Sequence, residues 1–270
     1  MTLHTGSTND EKRQCVADYR EHLGPLLHCT HRIFPTMRFD KGNSQHLAAI
    51  CLYATIFQSI GECYRLMDQP TVTVPGTMRS ILESYADLCA VIQDREYPKK
   101  MLATLHKEQK RHLEDVIKEP QNPFHAKVAT KIDPKEKLAE ATNALDKLRE
   151  KGHLPMRVED RFKAARLTDL YRTIYWELSL HGHNNLAALE ARHIRRTGRD
   201  QFEIDVFAAN SAHQMGTSYD ALIAMLADCS RRLYQLLDFA PPTEFTQRVE
   251  EFERFRPGAV KVLSEESGPA

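Results

Sequence analysis

Residues 77–93 read as a helix that carries Ile81, Leu82, Leu88 and Ile92 on several sides at once. A helix that is apolar nearly all round has no face to give to water, so it has to sit inside a layer of other elements. Three further segments have the periodicity to surround it. Ser44 caps an apolar helix through Leu47, Ile50, Cys51, Ala54 and Phe57, ending near Asp68. A helix opening at Asp169 sets Tyr171, Ile174, Tyr175 and Leu178 at i, i+3, i+4 and i+7, a core stripe. The helix over residues 211–238 presents Tyr219, Leu222, Ile223, Leu226, Leu233 and Leu237. With 11 Gly and 13 Pro in 270 residues, turns are too few for a strand-rich sandwich. The expected fold is all-α, a multi-helix bundle whose core is made by these four helices.

The remaining segments fit around that core. Asn9 or Asp10 caps a first helix that runs to Phe34, where Pro35 ends it. Residues 71–74 lie between Pro70 and Pro75 and read as a short extended linker, with Pro75 at a helix start. From Asp94 to Arg172 the composition shifts to 19 Lys/Arg and 14 Asp/Glu. Residues 99–118 and 134–151 are amphipathic, and the insertion over about 95–166 is expected as a charged helical hairpin packed outside the core. Asn184 or Asn185 can cap a short helix to Arg192, and the alternation of Phe202, Ile204 and Val206 after Gly198 suggests a small β-hairpin near 193–207. Pro241 and Pro242 stop the last helix. One helical domain over 1–240 and a partly disordered tail over 241–270 are expected.

The 37 Lys+Arg balance 37 Asp+Glu, which argues against a generally basic nucleic-acid coat. Residues 1–10 lack the apolar core of a secretory signal, and the most apolar run, 47–57, is shorter than a bilayer span. The six cysteines are scattered without a C-x-x-C pair, and Cys51 and Cys89 read as buried free thiols. A reducing cytoplasm fits, with no membrane partner.

Two segments carry charge or chemistry into the apolar helices. Arg79 and Glu83 are four apart and share a helix face, along which Ala86 and Ala90 follow. A buried ion pair needs further partners, as a structural tie or as a polar pocket offering Arg79 to a phosphate or carboxylate. In residues 171–183, Arg172, Ser179 and His183 fall on one side of the stripe. Glu177 and His181 lie on the opposite flank, and a metal reading would need them plus partners such as Glu62 or Glu83. The arginines Arg192, Arg195, Arg196 and Arg199 make a compact basic patch that could meet RNA or phosphate. No glycine-rich phosphate loop, zinc-finger spacing or nucleophile elbow occurs, and no cofactor is expected.

Arg79-x-x-x-Glu83, followed much later by Tyr175-x-x-x-Ser179-x-x-x-His183, resembles the bacterial domain-of-unknown-function family numbered 5677, over about residues 44–238. That resemblance implies an all-helical bundle pairing the two motif helices. The chain departs from it at Asn184, where the family usually has proline. The helical plan is also similar to the HEPN superfamily of ribonucleases, which use an Arg-x(4–6)-His motif, with the arginine five to seven residues before the histidine. None of the 13 histidines has an arginine at that spacing. Three readings follow. In the first, Arg79, Glu83, Ser179 and His183 form a catalytic pocket that binds a phosphate-bearing small molecule or cleaves RNA. There Arg79 or Arg172 holds phosphate, Glu83 orients the arginine, His183 moves the proton, and Arg195, Arg196 and Arg199 add phosphate contacts. In the second, a non-enzymatic interaction module, a homodimer included, keeps the cluster as a structural network. The third is a metal-dependent bundle using Glu62, Glu83, Glu177 and His181.

Overall fold

The computed structural model describes residues 8–69, 71–182, 185–198, 201–208 and 210–265. In chain order the helices are α1 (Asn9–Ile33), α2 (Ser44–Leu66), α3 (Thr73–Gln93), α4 (Tyr97–Lys118), α5 (Pro123–Ala129), α6 (Pro134–Glu150) and α7 (Val158–Ala164). A single turn, α8 (Thr168–Leu170), runs through a π-helical segment at Tyr171–Tyr175 into α9 (Trp176–Gly182). Then come α10 (Leu186–His193), β1 (Ile194–Arg196), β2 (Phe202–Ile204), α11 (Ala212–Leu236) and α12 (Thr243–Ser264). The fold is an all-α bundle with one antiparallel hairpin, in which Ile194 faces Ile204, Arg195 faces Glu203 and Arg196 faces Phe202.

Helix α3 is the axis of the molecule. Ile81, Leu82, Ala86, Leu88, Cys89, Ala90 and Val91 are all buried. It packs against α2, α7, α9 and α11, so its all-round apolarity is met by a neighbour on each side. Side-chain caps set the helix starts where the sequence offers them. Asn43 accepts from the backbone of Gln45 and His46 at α2, and Ser211 with Gln214 makes a reciprocal capping box at α11. By length and composition α2 is long and apolar enough to cross a membrane. Here its Ala49, Tyr53, Ile56, Ile60 and Cys63 are buried and it packs on α3.

Several expectations are corrected. Residues 73 and 74 belong to α3 rather than to an extended linker, because Pro75 falls in the first turn, where a missing N–H breaks no helical bond. The core also takes in α1, whose Tyr19, Leu23 and Leu26 are buried and which packs on α11 and α12. The expected tail is in fact helix α12, which continues through Pro257. Phe245, Val249, Phe252, Ala259 and Leu263 on its apolar face are buried. Gly216 on α11 makes room for it: a β-carbon there would stand 2.4 Å from the Leu263 side chain. Cys51 is exposed, whereas the other five thiols are buried.

The charged insertion divides. Helices α4 and α6 pack on each other around Leu113, Val116, Ala141 and Leu145. Its two ends, however, enter the core: Tyr97 and Phe162 are fully buried. The expected 171–178 stripe also changes phase. The π segment closes i→i+5 bonds and slips the helical register. Tyr175 is buried while Ile174 is 43% exposed. The Tyr171 and Tyr175 rings then stack 5.2 Å apart, both against Phe162 of α7.

Candidate functional site

Arg79, Glu83 and Asp87 stand at i, i+4 and i+8 on α3 and share one face. The π segment presents Tyr175 to that face. Its hydroxyl donates to Glu83 Oε1 at 2.8 Å and accepts from Arg79 Nε at 3.0 Å. The Arg79 guanidinium also lies over the Tyr175 ring, 5.2 Å from its centroid. The direct Arg79–Glu83 approach is 3.5 Å, so the tyrosine hydroxyl bridges a pair that the helix alone holds loosely.

From α7, Arg161 reaches the other end of the same face. Its Nε donates to Asp87 Oδ1 at 2.8 Å and its Nη2 to Asp87 Oδ2, a bidentate pair. Nη1 donates to Glu83 Oε2 at 3.0 Å. Asp87 also accepts from the hydroxyl of fully buried Tyr97 at 2.7 Å. Burial works to lower the Arg161 pKa, but Asp87 and then Glu83 more than reverse it, and the guanidinium is held above its usual value. Burial, then the charge of Asp87, pushes the Tyr97 phenol up as well. The side chains of Arg79, Glu83 and Arg161 are 25%, 24% and 21% exposed and that of Asp87 is 8% exposed. Two cations meet two anions, and each is engaged by hydrogen bonds within the cluster.

Of the residues expected to be catalytic, the structure therefore brings together Arg79 and Glu83. The hydroxyl of Ser179 donates to the Tyr175 carbonyl one turn back at 2.7 Å and is occupied by its own helix. His183 lies outside the described residues, as does Arg199, and the side chain of Arg196 is not described. Arg172 is exposed on the π segment and Arg195 pairs with Glu203 across the hairpin, so neither of these two arginines joins the cluster. The metal reading is corrected: among the described residues no three His, Cys, Asp or Glu side chains converge as a ligand set. Sequence reasoning missed Asp87, Arg161 and Tyr97. For Asp87 a signal was present, since it extends the Arg79–Glu83 stripe by one more turn.

A second polar feature lies on another face of α3. A groove of about 640 Å³ runs between α2, the first two turns of α3, and α9–α10. Thr73, Gly76, Thr77 and Ser80 form its α3 wall, Ser59 and Glu62 stand on α2, and His181, Arg192 and His193 come from the third side. Burial, then the nearby charge of Arg192, lowers the His181 pKa, with Glu177 acting in the opposite sense.

The model of a Family of unknown function (DUF5677) matches residues 46–202, from α2 to the first residue of β2, so the match contains the whole cluster and the groove. No curated protein matches, and neither does any solved structure.

Proposed function

The chain belongs to the DUF5677 family, and since that family's function is unknown, we propose that this member is a non-catalytic helical interaction module in which the Arg79–Glu83–Asp87–Arg161 cluster is a structural lock. The observation that carries this reading is the saturation of the cluster. Arg161 spends three donors on Asp87 and Glu83, Arg79 and Tyr175 engage each other and Glu83, and Ser179 bonds its own helix. A phosphate clamp or a general acid/base needs a group that is free to change partners, so this commitment counts against RNA cleavage through Arg79.

The lock holds α7 and the π segment onto α3, and thereby fixes how α9, α10 and the hairpin leave the bundle. There the surface is apolar: Leu186, Phe202, Ile204, Val206 and Phe207 are 63–77% exposed. Among the described residues the two strands pair with each other alone, leaving two open edges. A patch of this kind suits a protein partner. The zero net charge sets no long-range repulsion between copies of the chain, which favours a second copy as that partner.

The test is a double-mutant cycle on Arg161→Met and Asp87→Leu, followed by urea unfolding. A structural lock predicts single losses of about 3–5 kcal/mol and a double-variant loss well below their sum, because the apolar pair replaces the buried charges together. Single losses under about 1 kcal/mol would mean that the cluster does not hold the fold. Sedimentation of the wild-type chain beside a Phe202→Asp, Ile204→Asp variant reads the partner. A dimer that the two aspartates dissolve supports it, and a monomeric wild type excludes self-association.

A further inference from the structure

We infer that the groove between α2, α3 and α9–α10 binds a phosphate monoester carried on a small hydroxyl-rich molecule, with Arg192 and the His181 ring as its anion ligands. This goes beyond the lock and does not rest on it, since the two sites share no residue.

Arg192 is a half-buried side chain at the end of α10. Among the described residues it makes neither a hydrogen bond nor an ion pair, although Arg195, three residues on, takes Glu203. A guanidinium that is half withdrawn from water and not yet paired is ready for an oxyanion, which it can meet with two parallel N–H donors. The His181 Nδ1 atom is buried and, among the described residues, has no hydrogen-bond partner. It lies close enough to Arg192 to feel its charge. The His181 side chain lines the same groove as Arg192, and a guanidinium without a hydrogen-bond partner among the described residues, set beside an imidazole, is the arrangement that an anion would complete.

The α3 wall favours the same end. Helix α3 opens at Val72, which gives no side-chain cap, and the Thr73 N–H is taken by Thr71 Oγ1 at 3.1 Å, so its first turn contributes the positive end of the helix dipole to this side of the groove. Pro75 offers no N–H, and Gly76 offers no side chain. A β-carbon at Gly76 would meet nothing within 4 Å, so a ligand can approach the backbone there.

The rest of the lining sets the class of ligand. Thr73 and Thr77 on α3 and Ser59 on α2 are hydroxyl donors and acceptors, while the Ser80 hydroxyl donates to the Gly76 carbonyl at 3.2 Å and is left as an acceptor. Glu62, which accepts from the Gln58 amide at 3.3 Å, is the groove's one carboxylate among the described residues. It would repel a second phosphate and accept from a ligand hydroxyl. One phosphate at the Arg192 end and sugar-like hydroxyls at the Glu62 end satisfy both. The volume of about 640 Å³ suits a molecule the size of a sugar phosphate or a nucleoside monophosphate.

Titration calorimetry of the full chain with ribose 5-phosphate, adenosine 5′-monophosphate, inorganic phosphate and ribose tests the assignment. At least one of the two monoesters should bind saturably, about tenfold or more tightly than inorganic phosphate, while ribose alone gives no binding. Arg192→Met should weaken the monoester at least about tenfold with an unchanged melting temperature, since its side chain holds nothing else. Gly76→Leu, which fills the groove from the opposite wall, should do the same. A dianion also favours protonated His181, which faces Arg192, His193, Glu177 and Glu62, so between about pH 8 and about pH 7, where the monoester is still mostly a dianion, affinity should rise more steeply on acidification in the wild type than in His181→Gln. No saturable binding of either monoester, or equal affinity in the Arg192→Met chain, overturns the site. Equal affinity for inorganic phosphate overturns the hydroxyl-bearing class.

Discussion

Helix α3 shows two polar faces that differ in how their charges are used. On one, Arg79, Glu83 and Asp87 meet Arg161, Tyr97 and Tyr175, and the donors close on carboxylates within the cluster. On the other, Thr73, Thr77 and Ser80 line a groove in which Arg192 and the Nδ1 of His181 have no hydrogen-bond partner among the described residues. The first face resembles a catalytic cluster in residue type, but its polar groups are paired with one another. The second has an unremarkable sequence and keeps its charge available. Residue type is thus a weaker guide to function than whether a polar group is already paired.

The sharpest way to break this contrast is at Asp87. It is the least exposed charge of the network and accepts from Tyr97 and, through two nitrogens, from Arg161. Asp87→Ala leaves the Arg161 cation with Glu83 alone and the Tyr97 hydroxyl without its acceptor. The expected loss is about 3–5 kcal/mol in urea unfolding. A loss near that of an ordinary surface substitution would place Asp87 outside the fold's support and reopen a functional role for the whole face.

The same contrast explains what was legible in the sequence. The bundle was, because α3 is apolar on several sides and short polar residues precede the apolar periodicity of α2 and α11, although the α2 cap is Asn43, one residue before the expected Ser44. The Arg79–Glu83 pair was also visible from its spacing. Arg161 was not, because it lies in a seven-residue helix inside a stretch dense with lysine and arginine, where one more arginine has no distinguishing neighbour. Charge balance could have asked for it: Arg79, Glu83 and Asp87 together leave one negative charge on a half-buried face, and that excess needs a cation from elsewhere in the chain. The groove was illegible for a different reason. Its walls come from α2, α3, α9 and α10, and only the tertiary fold shows that His181 and Arg192 share a surface. Helix α12 was missed because Pro241 and Pro242 read as the end of the last helix, whereas a further apolar face, Phe245, Val249, Phe252, Ala259 and Leu263, is buried beyond them.

A smaller effect tests how the lock is joined to the π segment. Tyr175→Phe keeps the ring stacked on Tyr171 and Phe162 and removes only the hydroxyl between Arg79 and Glu83. The Arg79–Glu83 pair would remain at its looser 3.5 Å spacing, and the expected cost is about 1–2 kcal/mol in the same unfolding measurement. A neutral Tyr175→Phe would show that aromatic packing, and not the hydroxyl bridge, seats the π segment.

The smallest expected effect lies in the acid limb of stability, and it separates the groove from the rest of the molecule. Burial lowers the pKa of both His181 and His22 from the ordinary 6.5. His181 faces Arg192 and Glu177, and His22 faces Asp18, Glu251 and Arg248. When the folded pKa is below the unfolded one, the unfolded chain takes up the proton first, so stability is complete above 6.5 and declines as pH falls below it. Melting temperatures should therefore drop on acidification from about pH 7 to about pH 5.5, and His22→Leu should remove part of that drop whatever the buffer. The His181 part should instead depend on ligand. A bound phosphate monoester would stabilise protonated His181 and shrink the drop in wild type but not in Arg192→Met. A drop unaffected by the monoester would leave His181 as a packed histidine and make the two faces of α3 alike in having nothing to offer.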